Sequence, residues 1–220
     1  MTPGMPMCVR DSVIMIFTKA PIAGRVKTRL IPILGEHGAA GIYRSLLFRL
    51  VHKLEKAEFA DIEIWCMPDM SHPDFKNIQS MLECTLLNQV GDNLGQRMSV
   101  AVNKALQRYR YLLLIGADCP EMSLKYLKTA IFYMKEGADA VLGPAEDGGY
   151  VLLGLSNTAA CLFEGIPWGT DRVLEMTRTC LMGLGWMWQE LPEMWDVDRP
   201  EDLDRLTRLV GKAQSLIEGA

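Results

Sequence analysis

Four cations follow an apolar run near the start of the chain. In "FTKAPIAGRVKTRL", Lys19, Arg25, Lys27 and Arg29 fall within eleven positions. Clustered cations neutralise phosphate oxygens, and Gly24 lets the backbone approach a ligand closely. The segment matches neither G-x-G-x-x-G nor G-x-x-x-x-G-K-[ST]. It therefore predicts a phosphate site built from side-chain cations, with a charged surface turn as the alternative.

A carboxylate lies directly after an apolar run in the middle of the chain. The stretch "LLLIGADCPEM" places Asp118 at this point. A charge beside a buried strand needs a partner, and Mg²⁺ is a natural one. The alternative is a loop aspartate that caps a helix near Ser123. Cys119 is accompanied by no histidine, which argues against a nucleophilic thiol.

Another acidic segment precedes a pair of glycines. In "GPAEDGGYVLLGL", Asp147 is followed by Gly148 and Gly149. These residues are typical of a turn. In the functional interpretation, the glycines let a ligand approach the backbone, and Asp147 accepts hydrogen bonds from hydroxyl groups or removes a proton.

Two aspartates are separated by one residue near the carboxyl terminus. The stretch "MWDVDRPEDLDRL" contains Asp196 and Asp198, followed by Pro200 and Glu201. Asp198, the proline and the glutamate together indicate a helix start. A metal ligand is compatible with that interpretation, because one carboxylate oxygen can hold backbone N–H groups while the other faces a metal.

A tryptophan lies in a Pro/Gly loop, "IPWGTDRV". Trp168 has two interpretations there: its ring stacks on a base or sugar, or it closes the edge of the core. The second is the commoner use of such a residue and is favoured.

The elements around these segments must position them. Short apolar runs rich in β-formers predict strands over residues 12–18, 61–67, 85–89, 111–117, 138–144 and 150–155. Apolar residues at helical spacing predict helices over residues 36–57, 94–107, 123–136 and 170–183, and a last helix beginning near Asp198. Such alternation predicts one α/β domain over residues 1–220, a Rossmann-like three-layer sandwich with helices on both faces of a mostly parallel, mixed sheet. Ligands of such sheets bind at the carboxyl ends of the strands.

Composition excludes several classes of partner. The chain has 220 residues and a net charge of −4, which argues against nucleic acid or an anionic membrane surface. Because no apolar run approaches the roughly 18 residues that span a bilayer, we expect no membrane span and a cytoplasmic location. The six cysteines form no C-x-x-C pair, so we expect neither a zinc site nor a disulfide framework, and most of them as small buried hydrophobes.

Large apolar side chains cluster in the last quarter of the chain. They include Met182, Trp186, Met187, Trp188 and Met194. They could form the surface of a homo-oligomer. Core packing is the favoured interpretation.

Taken in order, four motifs resemble the nucleotide-diphospho-sugar transferase superfamily, which has the glycosyltransferase-A fold. The motifs are "KAPIAGRVKTRL", "GADCP", "DGGY" and "DVDRPEDL". They are similar to those of a bacterial and archaeal glycosyltransferase-like family that reads K-x-P-x-x-G-x-V-K-T-R-L, G-x-D-x-P, D-G-G-Y and D-V-D-x-P-E-D-L. Two features depart from the wider superfamily: the first loop has one glycine where nucleotidyltransferases carry G-x-G-x-R, and Asp118 has no D-x-D partner.

This resemblance implies roles for residues at the matching positions. The nucleotide phosphates would be bound by the first loop, with Lys19, Gly24, Arg25, Lys27 and Arg29. Asp118 and Asp198 would hold Mg²⁺ or Mn²⁺. The stretch "GDNLGQRMSVAV" resembles the segment that lines the base pocket, which suggests Gly95 and Arg97.

Three functions are compatible with this set. The first is a metal-dependent transferase with a nucleotide-sugar donor and a small-molecule acceptor, in which Lys27 and Arg29 stabilise the leaving group and Asp147 acts on the acceptor. The residues expected to contact the substrate are Gly148, Gly149, Tyr150 and Trp168. The second is a nucleotidyltransferase that joins a nucleoside triphosphate to a phosphorylated small molecule and releases pyrophosphate. The third is a nucleotide-binding protein without turnover.

Overall fold

Branched and aromatic residues form the strands of a seven-stranded sheet within residues 10–218, the part of the chain that the computed structural model describes. From residue 212 onward only the backbone is described. The strands are β1 (Ser12–Lys19), β2 (Asp61–Met67), β3 (Thr85–Asn88), β4 (Tyr111–Ile115), β5 (Ala140–Pro144), β6 (Tyr150–Leu155) and β7 (Trp188–Glu190). The α-helices are α1 (Ile31–Leu54), α2 (Pro73–Met81), α3 (Leu94–Leu106), α4 (Leu124–Lys135), α5 (Val173–Leu184) and α6 (Pro200–Glu218).

The sheet is mixed, as predicted. Its strand order is β3-β2-β1-β4-β6-β5-β7, and β6 runs antiparallel to both β4 and β5, while the remaining pairs are parallel. Because β6 runs in reverse, it begins at the edge where the other strands end. Tyr150, its first residue, therefore lies on the same side of the molecule as the loops that follow β1 and β4.

Both faces of the sheet are covered, which explains why the strands read as continuous apolar runs. In β1, Ile14 and Ile16 face a cluster formed with α1, α2 and α4. Val13 and Met15 face the opposite cluster, formed with α3 and α5. The predicted three-layer α/β arrangement is confirmed.

Three elements differ from the sequence prediction. The helix predicted from residue 36 begins at Ile31. The added residues form a first turn, which a break at Gly35, whose φ is 68°, separates from the rest of α1. The nine-residue α2 was not predicted, since its sequence is short and polar and begins with a proline. The three-residue β7 is formed by its pairing with β5, which its own sequence does not reveal.

The cysteine prediction is wrong for one pair. Cys161 and Cys180 form a disulfide, although they are 19 residues apart and match no spacing motif. They meet because the chain after β6 turns through a 3-10 turn and returns to pack on α5. Of the remaining cysteines, Cys66 and Cys119 are buried, Cys84 is half-buried, and Cys8 lies outside the described residues.

The expectation of core packing fails for two methionines. Met182 is 60 % exposed and Met187 is 67 % exposed, while Trp186, Trp188 and Met194 are partly buried against the core clusters. Met182 lies in α5, and Met187 directly precedes β7. A homo-oligomer stays a prediction.

Within residues 10–218, no helix combines the length and the apolar character needed to cross a bilayer.

Candidate functional site

A cavity of about 600 Å³ opens at the edge where β1 and β4 end and β6 begins. Its walls come from the loop after β1, the loop after β4, the first residues of β6, the start of α3 and the loop between β6 and α5. Most of the predicted site residues line it, namely Lys19, Arg25, Lys27, Arg29, Arg97, Asp118, Asp147, Gly149, Tyr150, Trp168 and Asp198. Gly24, Gly95 and Gly148 are not among the lining residues.

Lys27 is the central cation of the site. Its Nζ lies 2.8 Å from Oδ2 of Asp118 and 3.6 Å from Oδ1 of Asp198, and its side chain is only 6 % exposed. Among the described residues it is the one non-glycine residue with a positive φ, 46°, a conformation that side chains rarely adopt. Burial alone would lower the pKa of Lys27, but the carboxylates of Asp118 and Asp198 raise it above its ordinary value. The ammonium group is therefore firmly charged.

Asp118 is positioned by its own loop rather than used as a helix cap. Ser123 caps α4, because its Oγ accepts a hydrogen bond from the Tyr126 N–H. The Asp118 carbonyl accepts from the Val197 N–H, which ties this loop to the segment that carries Asp198. The Asp118 carboxylate is left to face Lys27.

Lys53 supports the same loop from α1. Its ammonium donates to the carbonyl oxygens of Pro120, at 2.9 Å, and Met122, at 2.7 Å. Burial raises the pKa of the adjacent Cys119 thiol to about 11. The thiol is therefore protonated at neutral pH, which agrees with the argument against a nucleophilic role.

Asp198 likewise keeps its carboxylate free of the helix that follows. Oδ2 of Asp202, in the first turn of α6, accepts hydrogen bonds from the backbone N–H groups of Asp198 and Arg199. The Asp198 carboxylate instead contacts Lys27 through one oxygen and Arg29 through the other. The two interpretations of this segment are thus divided between two residues, Asp202 for the cap and Asp198 for the site.

Asp196 belongs to the same acidic cluster and was not predicted as a site residue. Burial, together with repulsion from Asp118 and Asp147, raises the pKa of its carboxyl to about 7, and Lys27 opposes part of that rise. The signal in the sequence was the D-V-D spacing, because residues two apart in an extended segment point to the same side.

Lys19 and Arg25 differ from Lys27 and Arg29 in having no carboxylate partner among the described residues. Both side chains line the cavity, and both residues are exposed. Two of the four loop cations are therefore paired with carboxylates of the protein, and the other two are available to an anionic ligand.

Arg97 has a different environment, in which backbone carbonyls hold its guanidinium group. Its Nε donates to the Gly91 carbonyl at 2.9 Å, and Nη2 donates to the Asp92 carbonyl at 3.3 Å. The side chain is fixed against the loop before α3 and lines the cavity from there.

Gln89 is a cavity residue that the sequence analysis did not identify. Its Nε2 donates to the carbonyls of Thr18, at 3.1 Å, and Trp65, at 2.8 Å, at the ends of two neighbouring strands. Both amide hydrogens are thereby engaged, so Oε1 is the atom that can accept a hydrogen bond from a ligand. The sequence prediction placed Gln89 inside the strand over residues 85–89, so no signal set it apart as a site residue.

The turn before β6 carries Asp147. Its Oδ1 accepts a hydrogen bond from the Gly149 N–H at 2.9 Å, so Oδ2 is the oxygen that can face a ligand. Gly148 has φ 83°, and a Cβ there would lie 2.2 Å from the carbonyl oxygen of Asp171. Gly148 therefore serves the packing of this turn against the start of α5, and Gly149 is the glycine that lines the cavity.

Tyr150 and Trp168 form the aromatic wall of the cavity. Their rings meet edge to face, with centroids 6.3 Å apart. The Tyr150 hydroxyl is buried away from solvent, beside Thr177, and burial raises the pKa of the phenol. Trp168 packs against the core cluster of α3 and α5, as the favoured interpretation has it, and it also lines the cavity. Stacking of its ring on a base or sugar stays a prediction.

Gly95 allows Trp168 to lie where it does. A Cβ at Gly95 would be 2.6 Å from Nε1 of Trp168 and 2.2 Å from the carbonyl oxygen of Phe163. Its contribution to the site is the close contact between α3 and the loop that carries Trp168.

The donor set determines which metal the site could hold. Within residues 10–218, no group of three or more histidine, cysteine, aspartate or glutamate side chains is arranged to bind an ion. Asp118 and Asp198, however, share Lys27 as a common partner, so both present oxygen atoms to one small region. Mg²⁺ is commonly held by one or two carboxylates and completes its coordination with phosphate oxygens and water. The residues therefore fit an ion that binds together with a phosphate ligand.

The chain is similar to known proteins in both sequence and fold. The profile of the family described as "Uncharacterized protein conserved in bacteria (DUF2064)" matches residues 50–170. A solved structure from Desulfovibrio desulfuricans G20, assigned as a nucleotide-diphospho-sugar transferase, is 31 % identical with a TM-score of 0.78, and the match covers 86 % of this chain and 83 % of that one. The resemblance to that superfamily is confirmed.

Two further structures share the fold at low sequence identity. The 4-diphosphocytidyl-2C-methyl-D-erythritol synthase of Anaerococcus prevotii DSM 20548 has a TM-score of 0.62 at 8 % identity, covering 92 % of this chain and 96 % of that one. A CMP:2-keto-3-deoxy-manno-octonic acid synthetase, solved with CTP, has a TM-score of 0.60 at 10 % identity, covering 92 % and 99 %. None of the curated proteins compared with the chain matches it.

Proposed function

We propose that this chain, which belongs to the DUF2064 family, is a metal-dependent transferase whose donor is a nucleotide-diphospho-sugar. The observation that carries the proposal is the contact of Lys27 with both Asp118 and Asp198 at the wall of a cavity of about 600 Å³. Cavities of roughly 300–1,000 Å³ are typical of small-molecule and cofactor sites. The assignment of the similar D. desulfuricans protein supports the same class of donor.

The charges of the cavity suggest how a diphosphate would be bound. Lys19 and Arg25 line the cavity and have no carboxylate partner within residues 10–211, so they would meet the phosphate oxygens first. Asp118 and Asp198 would hold the divalent ion, Mg²⁺ or Mn²⁺, which when bound supplies charge neutralisation at the phosphates. Lys27 and Arg29 would stabilise the negative charge that grows on the leaving nucleoside diphosphate.

The opposite wall would bind the rest of the substrates. The rings of Tyr150 and Trp168 offer an apolar surface to a sugar or base, and Gln89 offers one acceptor oxygen. Asp147, with Oδ2 free of the turn, would orient the acceptor hydroxyl or take its proton. This division assigns phosphate chemistry to one wall and recognition to the other.

A thermal-shift screen of nucleotides and nucleotide sugars, with and without Mg²⁺, tests the proposal. A ligand at 100 times its Kd stabilises the folded state by about 2.7 kcal/mol, which is about 5–10 °C in Tm for a chain of this size. We expect a nucleotide sugar to produce such a shift only with Mg²⁺. For Asp118→Asn and for Asp198→Asn, we expect addition of Mg²⁺ to make no difference to the Tm measured with the nucleotide sugar. Asp74→Asn, which alters a carboxylate paired with Arg44 away from the cavity, is the matched control. If no nucleotide shifts Tm, the proposal fails.

Nucleotidyl transfer is the second candidate. The specific observation in its favour is the presence of two unpaired cations, Lys19 and Arg25, in addition to the two that contact carboxylates, because a triphosphate carries more charge than a diphosphate. Pyrophosphate release from a nucleoside triphosphate and a panel of sugar phosphates would favour this reaction. Nucleoside diphosphate release from a nucleotide sugar would favour glycosyl transfer, and Mg²⁺-dependent binding without either product would favour a non-catalytic protein.

A further inference from the structure

The position between Asp118 and Asp198 already holds a cation, the ammonium group of Lys27. Its Nζ is within hydrogen-bond distance of Asp118 and 3.6 Å from Asp198, and the side chain is 6 % exposed. The two carboxylates to which the proposed function assigns a divalent ion are therefore bridged by a side chain of the same protein. Either the ion binds beside this ammonium, or the ammonium leaves.

Charge balance favours the second possibility. A divalent ion bound to both carboxylates would lie next to a buried positive charge, and like charges at such short distances repel strongly where water is scarce. Asp196 is close enough to interact with Lys27, but it makes no hydrogen bond to it. Arg29 is 58 % exposed, so it can turn into bulk solvent when Asp198 changes partner, whereas Lys27 is 6 % exposed and can leave the carboxylates only by moving within the cavity.

The cavity supplies the place to which Lys27 can move. The side chain already lines it, and its four-carbon stem can rotate while the backbone stays fixed. The backbone is held in the left-handed conformation, φ 46° and ψ 45°, and the Lys27 carbonyl accepts a hydrogen bond from the Leu30 N–H. The side chain is thus the only part of Lys27 that needs to change position.

We propose that Lys27 and a divalent ion occupy the Asp118–Asp198 site alternately. Without a ligand, the ammonium group bridges the two carboxylates and keeps them together. When an ion arrives with a phosphate ligand, Nζ leaves the carboxylates and turns to the phosphate oxygens in the cavity. This inference rests on the proposed metal-dependent function. It implies that the site has a low affinity for free Mg²⁺ or Mn²⁺ when no phosphate ligand is bound.

The test is Mn²⁺ binding without nucleotide, measured by electron paramagnetic resonance and by calorimetry. We expect Lys27→Met to bind Mn²⁺ at least about tenfold more tightly than the wild type, which corresponds to about 1.4 kcal/mol. Lys19→Met removes a positive charge from the same cavity but touches neither carboxylate, and we expect its Mn²⁺ affinity to change by less than about threefold. Lys27→Gln keeps a hydrogen-bond donor without the charge, and it serves if Lys27→Met does not fold.

The outcomes separate this inference from the proposed function. If both Lys27 variants bind Mn²⁺ no more tightly than the wild type, while nucleotides still shift the wild-type Tm in a Mg²⁺-dependent manner, the alternation is wrong and the function stands. If Lys19→Met tightens Mn²⁺ binding as much as Lys27→Met, the effect is one of general charge and the alternation is wrong. If no variant binds Mn²⁺ with or without a nucleotide, the inference and the metal-dependent function fail together.

Discussion

The two ends of the cavity are held together by different forces. The acidic end, formed by Lys27, Arg29, Asp118, Asp196 and Asp198, depends on ion pairs between residues far apart in the chain: Lys27 and Asp118 are separated by 91 positions, Arg29 and Asp198 by 169. The aromatic end is formed by Tyr150 and Trp168. It depends on close packing against Gly95 and on the Cys161–Cys180 disulfide, a covalent bond across 19 positions.

This difference indicates what each end is suited to do. At the acidic end three carboxylates lie around two cations, and burial, together with repulsion from Asp118 and Asp147, raises the pKa of Asp196. Unfavourable charge is retained where a ligand or ion relieves it. The aromatic end has no such conflict, since its groups are neutral and packed. We therefore expect substitutions at the acidic end to change chemistry and substitutions at the aromatic end to change stability and affinity.

The largest effect is expected for Asp118→Asn. Loss of the charge removes one of the two carboxylate partners of Lys27 and one of the two proposed metal ligands. Donor turnover should therefore fall by about 100-fold or more, the scale seen when one electrostatic contact to a reacting group is lost. Turnover with a donor identified in the nucleotide screen is the measurement. Asp74→Asn is the control, because it alters a paired carboxylate outside the cavity. Unchanged turnover in folded Asp118→Asn protein would show that the acidic end is structural.

The next effect tests the covalent part of the aromatic end. Replacing Cys161 and Cys180 together by serine removes a link across about 20 residues, which typically contributes about 3 kcal/mol, or about 6–12 °C in Tm. The loop that carries Trp168 lies inside this link, so nucleotide affinity should fall as well. Differential scanning calorimetry under non-reducing conditions measures the first effect, with Cys84→Ser as the control. A double variant that melts with the wild type would mean that packing alone holds the loop.

The disulfide also shows where sequence reasoning stops. The first-loop cations and Asp118 were predicted to meet because they follow strands whose ends converge at one edge of an α/β sheet. Asp198 was added by the family resemblance of its motif. Cys161 and Cys180 carry no such signal, since their approach depends on the path of an irregular loop. The short β7 likewise has no signal in its own sequence, because its strand structure depends on its pairing with β5.

Within the site, the sequence was informative about charge and less so about partners. The sequence indicated a helix start at Asp198, and only the fold shows that Asp202 holds the backbone N–H groups there while the Asp198 carboxylate faces Lys27. Gly95 and Gly148 were expected at the ligand. Both instead allow two backbone segments to touch, a requirement that pattern alone does not distinguish from ligand contact.

Gly95→Ala tests that contact at the aromatic end. The added Cβ would lie 2.2 Å from the Phe163 carbonyl oxygen and 2.6 Å from Nε1 of Trp168, so the loop must shift. Overpacking of this kind costs about 1–3 kcal/mol. We expect a lower Tm and a changed tryptophan emission spectrum. Gly183→Ala in α5, where the Cβ meets nothing within 4 Å, should keep or raise Tm.

A smaller effect is expected for the unpaired cations of the first loop. Arg25→Ala should weaken the binding of a phosphate ligand by about fivefold, because an exposed ionic contact contributes up to about 1 kcal/mol, and the loss should shrink as salt increases. Tm without ligand should not change, since Arg25 has no partner among the described residues. Lys104→Ala on α3 removes an exposed cation away from the cavity and is the control. Equal affinities for Arg25→Ala and Lys104→Ala would assign the phosphates elsewhere.

The smallest effect is expected when one of the clustered carboxylates of the acidic end is replaced. Asp196→Asn replaces a carboxyl group, whose pKa is raised by burial and by repulsion from Asp118 and Asp147, with a neutral amide. Above pH 7, where the wild-type carboxylate is ionised, Tm in EDTA should rise by about 2–4 °C. Asp204→Asn, on the exposed side of α6, should leave Tm unchanged. With saturating Mg²⁺ and nucleotide, the gain should disappear, because added positive charge relieves the same repulsion in the wild type. A lower Tm in EDTA would mean that Asp196 stabilises the acidic end, and the comparison between the two ends would then rest on packing alone.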